Sequence, residues 1–331
     1  MTIACHAYAR AGLLGNPSDG YFGKIVAIPV KNFAARVSLD ESSDLWIKPS
    51  EYDASTYPDI HALIDHINQY GYYGGIRLIK AGIKKFWEYC ENQKLPLNNK
   101  NFTLRYTSDI PRQLGLGGSS AIITAAVKAL MQFYSINIPQ EILPSLILNA
   151  ELEELGINAG FMDRVIQVYE GCMYMDLDQN VVNQKGHGLY ERLDPKMLPP
   201  LYLAYKPSLG KVSGKVLNDI RIGWDRKDPF VIKTLARIAE IAAEGKKALI
   251  DKNYALFFPL MNENFDLRSR IMKISGGNME MIKTARSCGV SAKFAGSGGA
   301  IIGMYDHEDT FERLKKELDK IGAITIKPII D

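Results

Sequence analysis

Three stretches of this sequence combine glycine with polar or charged residues in surroundings that are otherwise apolar. Residues 10–24 read RAGLLGNPSDGYFGK, residues 110–130 read IPRQLGLGGSSAIITAAVKAL, and residues 292–303 read AKFAGSGGAIIG. Glycine loses more backbone entropy on folding than other residues, so such clusters are costly where a simple turn would do. Each stretch alone fits a plain turn or hairpin connection. Three in one chain favour backbone that closely approaches a ligand.

The middle stretch has the features of an anion cradle. Its three glycines and two serines directly precede an apolar, Ala-rich run that is predicted to be a buried helix from Ser120 to Tyr134. The N-terminus of a helix offers unpaired N–H groups and partial positive charge. The stretch lacks the Gly-Lys-Ser/Thr ending of a Walker A loop, and its spacing does not fit a dinucleotide fingerprint. Two interpretations stay open: a tight turn into a core helix, or a phosphate site of another kind.

Length and composition indicate the class of protein. A chain of 331 residues exceeds the size at which single cores usually divide, which favours two domains. The net charge of +3 gives no support for binding to nucleic acid or to a membrane surface. We expect a cytoplasmic protein, because no apolar run reaches membrane-spanning length and the first residues carry no export signal. The four cysteines form no CxxC pair and are expected to be buried thiols.

Strand and helix patterns alternate along the chain. Strands are predicted at KIVAIPV, FAARVSLD, NFTLRYTSDIP, CMYMDLD, LYLAYKP and AITIKP, with a strand pair around VSAKFAGSGGAIIGMY. Helices are predicted over 76–93, 120–134, 139–155, 229–249, 255–272, 279–287 and 308–321. The Gly- and Pro-rich region 185–200 is the best candidate boundary. This region divides the chain into an N-terminal domain over residues 1–185 and a C-terminal domain over residues 186–331.

In order and content, the three glycine-rich stretches resemble motifs of the GHMP kinases, the superfamily of galactokinase, homoserine kinase, mevalonate kinase and phosphomevalonate kinase. PRQLGLGGSSA is similar to that family's ATP-phosphate motif, RAGLLGNPSD to its first motif and KFAGSGGA to its third. Within the superfamily the sequence resembles the glucuronokinases, in GLLGNPSDGYFGK, INAGFMDRVIQVYEG, GKVSGKVLNDIRIGW and MNENFDLRSRIM. The likeness runs from about residue 8 to about residue 305. It implies a two-domain α+β GHMP-kinase fold with the active site in the interdomain cleft.

The resemblance also implies an activity and its cofactors. It implies an ATP-dependent sugar kinase that phosphorylates D-glucuronate at the anomeric hydroxyl, giving glucuronate 1-phosphate, with ATP and Mg²⁺ bound. Ser120 and Glu151 would be the ligands of Mg²⁺, since hard oxygen ligands suit that ion. Glu151 is preferred to Glu153 and Glu154, which are predicted to lie on a solvated helix face. The implied ATP-binding residues are Pro111, Gly115, Leu116, Gly117, Gly118, Ser119, Ser120, Ala121, Gly296, Ser297, Gly298 and Gly299.

Asp163 and Arg10 are the catalytic residues that the resemblance implies. Asp163 would accept the proton of the attacking hydroxyl, or orient that hydroxyl, while Arg10 stabilises the developing charge. The sequence leaves both roles of Asp163 open. Taken alone, the segment GFMDRV would also fit a helix N-cap at this aspartate.

A sugar acid presents both hydroxyls and a carboxylate to its binding site. Asp19 is expected to accept hydrogen bonds from sugar hydroxyls. The substrate carboxylate must meet a cation or lose its hydration without compensation. Arg164 and Arg221 are the candidates, because a guanidinium binds a carboxylate in bidentate fashion. A surface ion pair is the ordinary alternative for each. The segment around Arg221 also contains Lys206, Lys211 and Lys215.

Two other functions stay open at this stage. One is a GHMP-family kinase for another sugar or small alcohol, such as a galactokinase-like or heptose-type enzyme. The other is a non-catalytic relative that binds a ligand in the same cleft. The presence of the full catalytic and metal-binding set argues against the second. The sequence predicts no oligomeric state.

Overall fold

Two long paired strands organise the N-terminal half of the molecule. The computed structural model describes residues 2–50, 53, 74–210 and 218–331, so Lys211 and Lys215 lie outside the described residues. Strand β1 (Thr2–Leu14) pairs antiparallel with β2 (Lys24–Ser42) along most of its length. The two strands predicted within 24–42 are one strand. Residues 31–33, which separate the two predicted strands, lie where the register of β2 against β1 shifts, between Tyr8 and Ala9.

The remaining strands of this first sheet lie along the other edge of β2. β4 (Asn101–Ser108) and β5 (Met173–Asp176) both pair antiparallel with β2. β3 (Trp46–Ile47) pairs parallel with β4, and β6 (Leu189–Arg192) pairs antiparallel with β5. Together they form a six-stranded sheet among the described residues.

The helices of this half cover one face of the sheet. They are α1 (Gly75–Asn92), α2 (Gly118–Tyr134), α3 (Leu143–Leu152), α4 (Met162–Tyr169) and the short α5 (Gln179–Lys185). α2 lies between α1 and the strands β1 and β2, which explains why its sequence is apolar nearly all round. It begins at Gly118, two residues before the predicted start.

A second sheet of four antiparallel strands forms the other domain. Its order is β10-β7-β9-β8, with β7 at Leu201–Tyr205, β8 at Lys293–Phe294, β9 at Ala300–Met304 and β10 at Ile324–Ile326. The described helices are α6 (Asn218–Asp225), α7 (Pro229–Ile250), α8 (Tyr254–Arg270), α9 (Gly276–Ser287) and α10 (Glu308–Asp319). The two sheets divide between Arg192 and Leu201. A boundary at 185/186 stays a prediction.

One hydrophobic core joins the two halves. Side chains of α7 and α8 share a buried cluster with β1, β2 and α2, so the second half closes the first sheet. All four cysteines are buried and none forms a disulfide, as predicted. Among the described residues, none of the helices combines the length and the apolarity that crossing a membrane requires.

Candidate active site

A cavity of about 800 Å³ opens where the three glycine-rich stretches meet. The loop between β1 and β2, the loop before α2, the start of α4 and the segment after β8 all contribute to its wall. Most of the predicted site residues line it, and Ser120, Ala121, Gly298 and Gly299 do not. The lining residues that were predicted are Arg10, Asp19, Pro111, Gly115, Leu116, Gly117, Gly118, Ser119, Glu151, Asp163, Arg164, Arg221, Gly296 and Ser297.

Backbone hydrogen bonds hold the three stretches together. The N–H of Arg10 donates to the carbonyl of Leu116 at 3.2 Å, and the N–H of Gly12 donates to the carbonyl of Ala295 at 2.8 Å. A Cβ atom at Gly296 would lie only 2.0 Å from the carbonyl oxygen of Gly115. The glycine at 296 therefore permits a close approach of two loops that both line the cavity.

The N-terminus of α2 opens into the cavity without a side-chain cap. The N-cap residue is Gly117, in the left-handed conformation with φ 77°. Ser119, in the first turn, lines the cavity. Ser120 is fully buried, and its hydroxyl lies 3.0 Å from the carbonyl oxygen of Gly117 and 3.3 Å from Oδ2 of Asp163. Ser119 is thus the serine that can reach a ligand directly, whereas Ser120 contacts the carboxylate of Asp163.

Arg10 and Asp163 form a buried ion pair beside this helix start. Nε of Arg10 donates to Oδ1 of Asp163 at 2.6 Å, and Nη1 donates to the carbonyl of Gly115 at 2.5 Å. Asp163 lies in the first turn of α4, where Phe161 is the N-cap residue. Gln167, one turn later, donates from Nε2 to the carbonyl of Gly117 at 2.8 Å. Sequence reasoning missed Gln167, although its spacing of four residues from Asp163 places both on one helix face.

Glu151 and Arg164 form a second buried ion pair on the same side of the cavity. Nη1 of Arg164 also donates to the carbonyl of Gly160 at 2.8 Å and lies 3.7 Å from Oδ2 of Asp163. The charge of Arg164 is therefore already opposed by two carboxylates. Glu153 and Glu154 lie outside the cavity lining and pair with Lys84 and Lys85 on α1, each at 2.6 Å for its shortest contact.

The end of the cavity beside the β1–β2 loop contains Asp19 and an aromatic ring. Oδ2 of Asp19 accepts a hydrogen bond from the N–H of Met162 at 3.2 Å. Burial raises the pKa of the Asp19 carboxyl, and the negative charge of Asp163 adds to that shift. The guanidinium of Arg221 lies 4.8 Å from the centre of the Tyr21 ring, and Nη2 donates to the carbonyl of Gly20 at 3.4 Å.

Two further cations near this end were not recognised from the sequence. Arg268 lines the cavity and is 2% exposed; its Nη1 donates to the carbonyl of Gly296 at 2.6 Å. Burial lowers the pKa of Arg268 to about 10. Lys293 is buried, donates to the carbonyls of Gly12 and Phe294 at 2.7 and 2.8 Å, and has a lowered pKa because of burial. Neither forms an ion pair with a carboxylate in the described part of the chain.

The signal that could have found Arg268 is its helical spacing. The buried positions of α8 are Phe257, Leu260, Met261, Asn264, Phe265 and Arg268. The arginine continues a buried stripe at intervals of three and four residues, where a charged side chain needs a special reason. The buried ion pair of Glu151 and Arg164 carries no such sequence signal.

Family comparisons agree with the geometry. The model of the GHMP kinases N terminal domain matches residues 77–171, and that of GHMP kinases C terminal matches residues 246–324. A protein of Arabidopsis thaliana named glucuronokinase 1 is 39% identical over 99% of this chain and 91% of its own length. A second, named probable glucuronokinase 2, is 41% identical over 98% of this chain and 90% of its own length. The chain belongs to the GHMP kinases.

Solved structures with low identity share the fold of this GHMP kinase. The mevalonate kinase of Methanococcus jannaschii has a TM-score of 0.72 at 17% identity, with 99% of each chain covered. The phosphomevalonate kinase of Streptococcus pneumoniae has a TM-score of 0.75 at 16% identity, covering 99% of this chain and 100% of that one. The predicted two-domain α+β fold is confirmed.

A divalent cation fits the oxygen atoms that this GHMP kinase presents to the cavity. The buried carboxylate of Glu151 lines the cavity, and its Oε2 faces the guanidinium of Arg164, so a metal cation would share this carboxylate with the arginine. The hydroxyl of Ser119 lies in the same cavity lining. No cluster of three or more His, Cys, Asp or Glu that could hold a metal occurs among the described residues. One carboxylate and one hydroxyl, from Glu151 and Ser119, suit Mg²⁺, which usually keeps waters and phosphate oxygens as its other ligands.

Proposed function

We propose that this GHMP kinase transfers the γ-phosphoryl group of ATP to the anomeric hydroxyl of D-glucuronate, giving glucuronate 1-phosphate and ADP. One observation carries the proposal. A single cavity contains an uncapped helix N-terminus, the Arg10–Asp163 pair beside it, and two arginines, Arg221 and Arg268, that form no ion pair with a described carboxylate. The two Arabidopsis relatives named glucuronokinases support this choice of acceptor.

The start of α2 is suited to bind the phosphates of ATP. Backbone N–H groups from Gly115 to Ser120 and the positive end of the helix dipole favour an anion there. The stretch 296–299 packs against Gly115 and extends the same wall. Glu151, with the hydroxyl of Ser119 or Ser120, would hold Mg²⁺. When bound, that ion neutralises negative charge on the phosphate oxygens.

Asp163 and Arg10 act at the junction between the nucleotide and the sugar. The anomeric oxygen forms a bond to the γ-phosphorus, and the bond from that phosphorus to its bridging oxygen breaks. ADP leaves with the electron pair, and the carboxylate of Asp163 accepts the hydroxyl proton or orients the hydroxyl. Arg10 holds that carboxylate at 2.6 Å and adds positive charge beside the phosphate loop.

The part of the cavity around Asp19 is suited to the sugar acid. The free acceptor sites of the Asp19 carboxylate can bind two sugar hydroxyls. Of the two arginines predicted to bind the substrate carboxylate, Arg164 is engaged by Glu151, whereas Arg221 forms no ion pair with a described carboxylate. Arg221 is therefore the better placed of the two.

ADP release by the purified protein across a panel of acceptors tests the proposal. The panel is D-glucuronate, D-galacturonate, glucose, galactose, mevalonate and homoserine, with ATP and Mg²⁺. We expect turnover with glucuronate far above the neutral sugars, and a loss in the Asp163→Asn variant of about 10²- to 10⁴-fold. Preference for a neutral sugar would keep the kinase and refute the acidic acceptor. No turnover on any acceptor would favour a non-catalytic ligand-binding protein.

A further inference from the structure

Two arginines that line the cavity near Asp19 and Tyr21 form no ion pair with a carboxylate of the described residues. They are Arg221 on α6 and Arg268 on α8, and both line the cavity. Arg221 is half-buried and covers the ring of Tyr21. Arg268 is buried to 2% exposure. A buried charge has lost its hydration, so it needs an anion or several hydrogen bonds as compensation far more than a hydrated charge does.

The present partners of Arg268 are all uncharged. Nη1 donates to the carbonyl of Gly296 at 2.6 Å, Nε lies 3.1 Å from the sulfur of Met272, and the guanidinium lies 5.3 Å from the centre of the Phe294 ring. A guanidinium carries five N–H donors, arranged to fit a carboxylate with two parallel bonds. Nη2 donates no hydrogen bond to a described residue, so donors remain available where Arg268 lines the cavity.

Neither Arg268 nor its buried neighbour Lys293 has a described carboxylate within ion-pair distance. Lys293 is buried nearby and its charge is opposed by carbonyl and amide oxygens alone: Gly12, Asn16 and Phe294. Asp19 acts on Arg268 electrostatically but lies beyond ion-pair distance. The two closed ion pairs, Arg10 with Asp163 and Arg164 with Glu151, add no net charge. An anionic group bound here would give Arg268 the charged partner that it does not have among the described residues.

We infer that Arg268 binds the carboxylate of the sugar acid and determines the preference for an acidic acceptor. The inference rests on the proposed function. In this assignment Arg268 makes the charge-assisted hydrogen bonds from the floor of the cavity, and Arg221 contributes from its more hydrated edge. Arg164 stays with Glu151 and has no direct contact with the sugar acid.

A comparison of D-glucuronate with D-glucuronamide isolates the charge. The amide has nearly the same shape and lacks the negative charge. We expect the Arg268→Met variant to lose about 10- to 100-fold in kcat/KM for glucuronate, the usual effect of losing a hydrogen-bonded charge partner. For glucuronamide the variant should change by no more than a few fold, so the discrimination between the two acceptors narrows. The KM for ATP should stay near the wild-type value.

Two more variants keep the test decisive. Arg268→Gln keeps a donor for the carbonyl of Gly296 without the charge, and it should lose the same discrimination even if the methionine variant does not fold. Arg270→Met is the matched control: Arg270 is on the same helix, exposed, and outside this cavity, so both acceptors should be unaffected.

Each outcome separates the inference from the proposed function. Equal losses for glucuronate and glucuronamide would refute the inference, because Arg268 would then act on the phosphoryl group or on the Gly296 loop. Unchanged kinetics in both Arg268 variants would refute it as well. A wild-type protein that phosphorylates neutral sugars in preference to glucuronate would overturn the proposed function, and the inference with it.

Discussion

The two ends of the cavity are built from different parts of the chain. The phosphate end is mostly backbone, supplied by one continuous stretch from Gly115 to Ser119 at the start of α2. The acceptor end is mostly side chains, supplied by the β1–β2 loop, α6 and α8. Backbone N–H groups bind any phosphate and are insensitive to most substitutions. Side chains from separate elements can change one at a time, which suits the end that selects the acceptor.

The ends also differ in how their charges are balanced. Near the phosphate end, each of Arg10 and Arg164 has a carboxylate partner, Asp163 and Glu151 respectively. At the acceptor end Arg221 and Arg268 have none among the described residues. Under the proposed function, the first two arginines keep their carboxylate partners, whereas the other two gain an anionic partner from the acceptor. We therefore expect substitutions near the phosphate end to reduce catalysis with every acceptor. Substitutions at the acceptor end should change the selectivity between one acceptor and another.

The largest effect is expected from Arg10→Lys, at the junction of the two ends. Arg10 bridges Asp163 and the carbonyl of Gly115 with two different nitrogens. Lysine keeps the charge but cannot span both in this geometry. We expect kcat to fall by about 100-fold, a loss typical of removing one donor that stabilises a transition state. The loss should be the same for glucuronate and glucuronamide, measured by ADP release at saturating ATP.

Arg36→Lys is the matched control for this substitution. Arg36 is on β2 and pairs with Asp109, but both side chains are about half exposed. Exposed pairs contribute about 0–1 kcal/mol to stability, so activity and melting temperature should barely change. A loss at Arg10 confined to glucuronate would contradict the division between the two ends, since it would place Arg10 among the residues that select the acceptor.

The contrast between the ends also explains what the sequence could predict. Arg10, Asp19 and Asp163 were identified because each lies in a short motif whose glycines and polar residues stand out locally. The position of Arg268 in the cavity lining depends on packing between elements that are distant in the chain, and so does the ion pair of Arg164 with Glu151. No local pattern reports which side chains such packing brings together. The fold and most of the residues that line the cavity were therefore predictable, and the ion-pair partners of its arginines were not.

The same limit applies inside the phosphate motif. The residues and the helix were predicted, but the choice between Ser119 and Ser120 depends on where the first turn of α2 begins. Each residue turns an α-helix by about 100°, so a start that differs by two residues changes the expected direction of each serine by about 200° around the helix axis. The structure places Ser119 at the cavity and buries Ser120.

A smaller effect is expected from Gly117→Ala, which tests the backbone end. Gly117 has φ 77°, where an L-residue costs about 1–2 kcal/mol. Its Cβ would also lie 3.2 Å from Oδ2 of Asp163 and 3.0 Å from Nε2 of Gln167. We expect a lower melting temperature and a fall in kcat/KM of about 10-fold, because small misplacements of reacting groups are costly. Thermal unfolding and ADP release on the same samples measure both.

The Gly186→Ala variant separates the cost of the left-handed backbone conformation from the effect of contact with Asp163 and Gln167. Gly186 has a similar φ of 74°, ends α5, and a Cβ there would meet nothing within 4 Å. It should lose about as much stability as Gly117→Ala and keep full activity. Equal loss of activity in both variants would show that destabilisation alone accounts for the effect at Gly117.

The smallest effect is a stability change at Asp19 that depends on pH. Because the folded pKa of Asp19 is raised above its unfolded value, its ionisation costs stability as pH rises through the folded pKa. Asp19→Asn removes that cost, so the variant should melt slightly higher than wild type near pH 8, and the difference should shrink as pH falls.

Asp40 is the opposite case: its pKa is lowered, first by the hydrogen bond from Thr2, so Asp40→Asn should melt at a lower temperature than wild type near pH 8 and at the same temperature at acid pH. Melting curves of both variants across pH measure this. If Asp19→Asn melted lower at every pH, Asp19 would be a net stabilising partner of the cations around it, and the acceptor end would hold less unbalanced positive charge than its arginines indicate.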